Sequence, residues 1–103
     1  MIVAVIGDYG SPQYESFLLK VKLAMPEEQV SDLSRHPGHV WAKKLKARFD
    51  DISESHRVVI HPAYKESLDA RRDVTYAMER GRECFIFTSD EQFRPFPEYA
   101  ERI

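Results

Sequence analysis

Apolar runs alternate with amphipathic stretches along this chain, and the alternation predicts strands and helices in turn. Ile2-Val3-Ala4-Val5-Ile6 is continuously apolar and stops at Gly7, as expected of a strand covered on both faces. Ser11 and Pro12 then supply an N-cap and a proline at the first helical position. Tyr14, Phe17, Leu18, Val21 and Met25 recur at helical spacing until Pro26 closes the segment. Gln29-Val30-Ser31 reads as a short strand and His36-Pro37-Gly38 as a loop. A second helix is predicted to begin near His39, with Trp41, Leu45, Phe49 and Ile52 on one face and the lysines and Arg48 turned away. A β-branched strand follows over residues 57–61, ended by Pro62. Ser67 caps a third helix with Asp69 in its first turn and Ala70, Val74, Ala77, Met78 and Gly81 as its stripe. Residues 83–87 form the last predicted strand. The tail, residues 88–103, carries Phe93, Phe96 and Tyr99 between Pro95 and Pro97, and must dock on its own domain or on a neighbour.

This order implies right-handed crossovers and an α/β fold: a flavodoxin- or Rossmann-like three-layer sandwich with helices on both faces. Four parallel strands in the order 2-1-3-4 put the switch point between strands 1 and 3, where ligands bind in such sheets. The turn Gly7-Asp8-Tyr9-Gly10-Ser11 and the loop bearing His61 and Ser67 both leave that end.

Bulk composition narrows the partners. The 103 residues are read as one domain, 1–103, small enough that association would help its stability. A net charge of −2 argues against binding a nucleic-acid polymer, which needs a basic excess. Cys84 is the only cysteine and sits in an apolar run, which fits a buried thiol better than a nucleophile. No apolar stretch reaches membrane-span length and the N-terminus lacks signal-peptide features, so a cytoplasmic protein without membrane contact is expected. The pairs His36/His39 and His56/His61 lack metal-ligand context, so no metal and no cofactor is expected.

Two groups of residues carry candidate chemistry. Gly7 and Gly10 let backbone amides approach an anion at a helix N-terminus, although their spacing is not the dinucleotide fingerprint. Tyr9 lies at the tip of that turn, and His61 at the crevice edge could hydrogen-bond a ligand. Asp69 and Asp73, four residues apart, share a helix face, and close carboxylates separate each other's proton affinities. Asp73 borders the apolar stripe and is the more shielded of the two.

From Asp51 to Phe87 the sequence resembles the nucleoside 2-deoxyribosyltransferase superfamily, which includes the deoxynucleoside-monophosphate N-glycosidases. In that family a loop residue lies six positions before a catalytic glutamate, and an alanine four after it; Ser67, Asp73 and Ala77 keep these spacings. The turn at residues 7–11 is similar in place to the family's ribose- or phosphate-binding loop. The resemblance implies cleavage or transfer at the N-glycosidic bond of a nucleoside or nucleotide. Asp73, with Asp69 beside it, would be the carboxylate at the anomeric carbon. Ser67 would contact the phosphate or hydroxymethyl end, and residues 7–11 the sugar. It also implies a homodimer or higher homo-oligomer. Three positions depart from the pattern: Asp73 is a carbon shorter than glutamate, Arg48 stands where an aspartate precedes Ile52 by four residues, and His56 or Arg57 replaces the family's aspartate at the start of the strand. The competing expectations are therefore a catalytically inactive nucleotide-ligand sensor, or a small association module using the aromatic tail.

Overall fold

The computed structural model describes residues 1–35 and 41–97. The elements run β1 (Ile2–Ile6), α1 (Pro12–Ala24), β2 (Gln29–Asp32), α2 (Trp41–Glu54), β3 (Arg57–Ile60), α3 (Leu68–Glu79), β4 (Glu83–Phe87) and β5 (Phe93–Pro95), with short 3₁₀ turns at Leu33–Arg35 and Tyr64–Glu66. The predicted helix start at His39, the loop at 36–38 and the Trp41 side chain lie outside what is described, as does Tyr99.

The sheet has the order β2-β1-β3-β4-β5. Its first four strands are parallel, with Val3 beside Val30 and Arg57, and Val58 beside Cys84. Strand alternation sorts the core into two layers. Val3, Val5, Val59 and Phe87 pack with Tyr14, Phe17, Leu18 and Val21 of α1. Ala4, Ile6, Val58, Ile60, Cys84 and Ile86 pack on the other face, against Ile52 of α2 and Ala70, Val74 and Ala77 of α3. Helices cover both faces, as the alternation implies.

The count of four strands is corrected to five. After β4 the chain turns back, with the Thr88 amide donating to the Gln92 carbonyl at 2.9 Å. β5 then pairs antiparallel with β4, Phe87 opposite Phe93 and Phe85 opposite Pro95. Two prolines obscured this strand, but an edge strand tolerates a residue without an N–H. The described part of the tail, residues 88–97, therefore docks on its own domain: the Phe93 ring lies 4.5 Å from that of Phe87, and Phe96 meets Tyr64 edge-on at 5.7 Å.

Local signals explain the helix ends. Ser11 Oγ accepts from the Tyr14 amide and Ser67 Oγ from the Ala70 amide, so each serine satisfies a first-turn donor. Gly81, at φ +69°, lets α3 terminate in the left-handed region, with its amide donating to Met78 and that of Arg82 to Ala77. The α3 stripe is corrected at two positions: Met78 is 43% exposed and Gly81 is exposed beyond the helix end, whereas Asp73 is fully buried. Cys84 is buried, and burial pushes its thiol up to about 11.

Candidate functional site

The carboxyl ends of β1 and β3 are adjacent, Ile6 beside Ile60, and the turn after β1 rises over this edge of the sheet. Ser11 closes the turn, its amide donating to the Asp8 carbonyl at 3.0 Å and its hydroxyl to the same oxygen at 2.9 Å. The closure carries Tyr9 across to the α2/α3 side. There its hydroxyl donates to Asp73 Oδ2 in a short hydrogen bond.

Asp73 has a second donor to the same oxygen. Arg48 Nε reaches Oδ2 at 2.7 Å, and Arg48 Nη2 lies 3.4 Å from Asp69 Oδ1. The guanidinium also sits over the Tyr9 ring, 5.0 Å from its centre. Three elements distant in sequence thus meet at one buried charge pair. The expectation that Arg48 points away from the core is corrected, since it is 5% exposed. Its sequence signal was positional: it falls three residues after Leu45 and four before Ile52, on the apolar stripe itself. The pairing with Asp73 neutralises what such a position would otherwise exclude.

Burial dominates the electrostatics here. It raises the Tyr9 phenol well above its ordinary value, with the Asp73 carboxylate adding to the effect, so the hydroxyl remains a donor. Burial also raises the Asp73 carboxyl, although the hydrogen bonds from Tyr9 and Arg48 pull it back. For Arg48 burial disfavours the charge, but the bond to Asp73 more than offsets it and the guanidinium holds its proton more tightly. Above this cluster opens a pocket of about 300 Å³, lined by Tyr9, Gly10, Leu33, Ser34, Lys44, Arg48 and Asp69. Nothing lies within 4 Å of where a Gly10 Cβ would stand.

The remaining sequence-predicted residues are placed differently. Ser67 is occupied in capping α3. Gly7 lies beneath the turn, where a Cβ would come 3.0 Å from Tyr14 Cδ2 and 3.4 Å from His61 Cβ. His61 faces α1, meeting Phe17 edge-on at 4.6 Å while its Nδ1 accepts from the Ala63 amide. Asp8, Ser11 and His61 share a small hollow on that side, and two larger ones, of about 490 and 270 Å³, open beside Phe17, Lys20 and His61. The structure brings Tyr9, Gly10, Asp69 and Asp73 together, keeps Ser67 in the α3 cap, and leaves Asp8, Ser11 and His61 on the α1 side. Another hollow of about 400 Å³ follows the α2–α3 seam at Phe49, Leu68 and Tyr76, and none of the sequence-predicted site residues lines it. Among the described residues no three His, Cys, Asp or Glu side chains gather as a metal site; His36 and His39 lie outside them.

The His61 environment has a pH consequence. Burial lowers the ring below its ordinary value of 6.5, with Glu66 and Asp8 countering part of the effect. As pH falls the unfolded chain takes up this proton before the folded one, so stability is full above about 6.5 and declines below it. Urea midpoints measured at about pH 7.5 and 5.5 should show this decline in the unaltered protein. His61→Gln should reduce it.

The fold places the chain among α/β proteins with a mostly parallel sheet covered by helices on both faces. It is similar in structure to the CMP N-glycosidase BcmB of Clostridium botulinum, with a TM-score of 0.64 and 15% identity, over 84% of this chain and 70% of that one. At that identity the likeness is one of fold. No protein-family model matches the sequence, and no curated protein matches it. No helix among the described residues is long and apolar enough to cross a membrane.

Proposed function

We propose that this protein, one domain over residues 1–103, binds a nucleoside or nucleotide in the pocket above Tyr9 and Arg48. The observation that carries the reading is convergence. The turns after β1 and β2, α2 and the start of α3 deliver Tyr9, Gly10, Ser34, Arg48 and Asp69 to one concavity, at the end of the sheet where ligands bind in open parallel sheets. In this reading Tyr9 and Gly10 approach the sugar, while Ser67 serves by capping the helix that carries Asp69.

The chemistry proposed at this site is cleavage or transfer at the N-glycosidic bond. An Asp73 oxygen would bond to the anomeric carbon, or stabilise its positive charge, as the bond to the base breaks and the base leaves with the electron pair. Asp69 would stand beside it as the second carboxylate. One observation favours a second reading, a ligand sensor without turnover: Asp73 is fully buried and its Oδ2 already accepts from two donors. Chromatographic assay for free base from deoxynucleosides and their monophosphates separates the two. Base release identifies the enzyme, and a ligand-induced rise in melting temperature without release identifies the sensor. Absence of both removes the nucleotide reading.

Gly10→Val tests the turn. Its added atoms meet open space, so the melting temperature should stay within a few degrees, while nucleotide affinity should fall about tenfold or more by loss of close backbone approach. Unchanged affinity in this variant would take the turn out of the site.

The setting we propose is the cytoplasm, and the assembly a homodimer or higher homo-oligomer. Leu68 and Met78, 54% and 43% exposed on α3, support a self-association surface.

A further inference from the structure

We infer that the hollows on the α1 side of the sheet edge form a second binding site, which takes a small monocarboxylate with an apolar body. The inference goes beyond the nucleotide reading and stands without it, because no residue of the pocket above Tyr9 and Arg48 lines these hollows.

The two larger hollows, of about 490 and 270 Å³, share Phe17, Lys20 and His61 as a common wall. They open beside the residues that follow β3 and β4, the end of a parallel sheet at which ligands bind. His61 is a held donor. Its Nδ1 accepts from the Ala63 amide at 3.0 Å, which assigns the proton of the neutral ring to Nε2, and no acceptor among the described residues meets that N–H. The edge-on contact with Phe17 at 4.6 Å fixes the ring. Burial disfavours a charge on it and Lys20 adds to this, while Glu66 and Asp8 oppose them, so the ring near neutral pH donates as an uncharged group. Lys20 supplies the charge. It enters no ion pair among the described residues, and no other charged side chain except titratable His61 lines the larger hollow, where Gln13 and Ser16 add neutral donors. The second hollow is walled by Phe17, Pro62 and Phe87. A carboxylate on the Lys20 ammonium and the His61 Nε2–H thus leaves an apolar body against these three, a pairing of few polar anchors with carbon surface that small-molecule sites share. The charge count sets the limit at one. Lys20 is the one lysine or arginine lining the three hollows of this side, and Asp8, Glu66 and Glu91, all exposed, line the other two. A single charge in contact with Lys20 prevails over carboxylates screened by solvent, whereas a second charge, as on a phosphate, has no cation to meet.

Amide-shift titration of the ¹⁵N-labelled full chain with phenylacetate, phenylacetamide, acetate and phenyl phosphate tests the inference. Phenylacetate is expected to bind in the millimolar range or tighter, with its largest shifts on Ser16, Phe17, Lys20 and His61. Phenylacetamide keeps the shape and loses the charge, and acetate keeps the charge and loses the ring. Each should bind about fivefold or more weakly, the scale of one ion pair or of a partly buried ring in an open hollow. Phenyl phosphate should bind no more tightly than phenylacetate. Lys20→Met, which keeps the stem and removes the charge, should weaken phenylacetate about fivefold. Lys22→Met, on the same helix but outside the hollows, should leave it unchanged. Equal affinity for the acid and its amide would overturn the inference, as would phenylacetate binding that survives Lys20→Met. Tighter binding of phenyl phosphate, shifts centred on Tyr9, Gly10 and Lys44, or no saturation by phenylacetate at about 10 mM would overturn it too. None of these ligands carries a base, so the outcome is read separately from that of the base-release assay.

Discussion

Asp73→Ala should destabilise the protein by about 3–5 kcal/mol, because it leaves a buried guanidinium without its counter-charge. Arg48 cannot recover water by a small movement, as it is 5% exposed and stacked over Tyr9. The Tyr9 hydroxyl loses its acceptor in the same step. Total stability for a domain of this size is on the order of 5–15 kcal/mol, so the variant should sit near its folding threshold. Urea denaturation followed by circular dichroism measures the effect. The double variant Arg48→Met with Asp73→Leu should recover most of the loss, since removing both charges leaves none unpaired. A single variant within about 1 kcal/mol of the parent would show that the pair is not the buried contact described. One consequence bears on activity assays. Loss of base release in Asp73→Ala is meaningful only beside a measured folded fraction, and Asp73→Asn, which keeps the shape and one acceptor oxygen, is the better variant for turnover.

The second large effect is expected at Gly7. A Cβ there would come 3.0 Å from Tyr14 Cδ2, and Tyr14 has little freedom to retreat. Its ring is 1% exposed, and its hydroxyl donates to the Val5 carbonyl at 2.9 Å and accepts from the Leu33 amide at 3.3 Å. Gly7→Val should therefore cost about 3 kcal/mol by overpacking, the upper part of the usual range. Gly10→Val, three residues on, should cost almost nothing. Thermal melts of the two variants give the comparison, and equal melting temperatures would contradict the packing described around Tyr14. The two glycines look alike in sequence. Gly7 is needed for packing, and a side chain at Gly10 would meet open space.

Features written locally in the chain were legible before the structure. Ser11-Pro12 and Ser67 announced helix starts and Gly81 a helix end, because caps and left-handed residues act within a few positions. The apolar runs marked the central strands, and their alternation with helices implied a parallel sheet in the order 2-1-3-4. Arg48 was read as solvated because a lone cation on a lysine-rich helix usually is. Its reason for turning inward is Asp73, which only tertiary contact brings near. β5 was missed for a similar reason: three residues ending in a proline make a strand only against a partner such as β4. The side taken by His61 was available in principle. Val59 faces α1 and Ile60 faces α2 and α3, so strand alternation sends the next side chain back toward Phe17. The crevice residues Tyr9 and Asp73 were named from sequence, but their direct bond depends on how the turn after β1 bends over the sheet edge.

The claim on which the functional account rests is that the ligand occupies the pocket above Tyr9 and Arg48. Titration of the ¹⁵N-labelled protein with deoxycytidine 5′-monophosphate, followed by amide and guanidinium shifts, tests it most directly. The account predicts that the largest shifts fall on Tyr9, Gly10, Ser34, Lys44 and the Arg48 side chain. Shifts gathered instead around Phe17, Lys20 and His61, or none at saturating ligand, would contradict it.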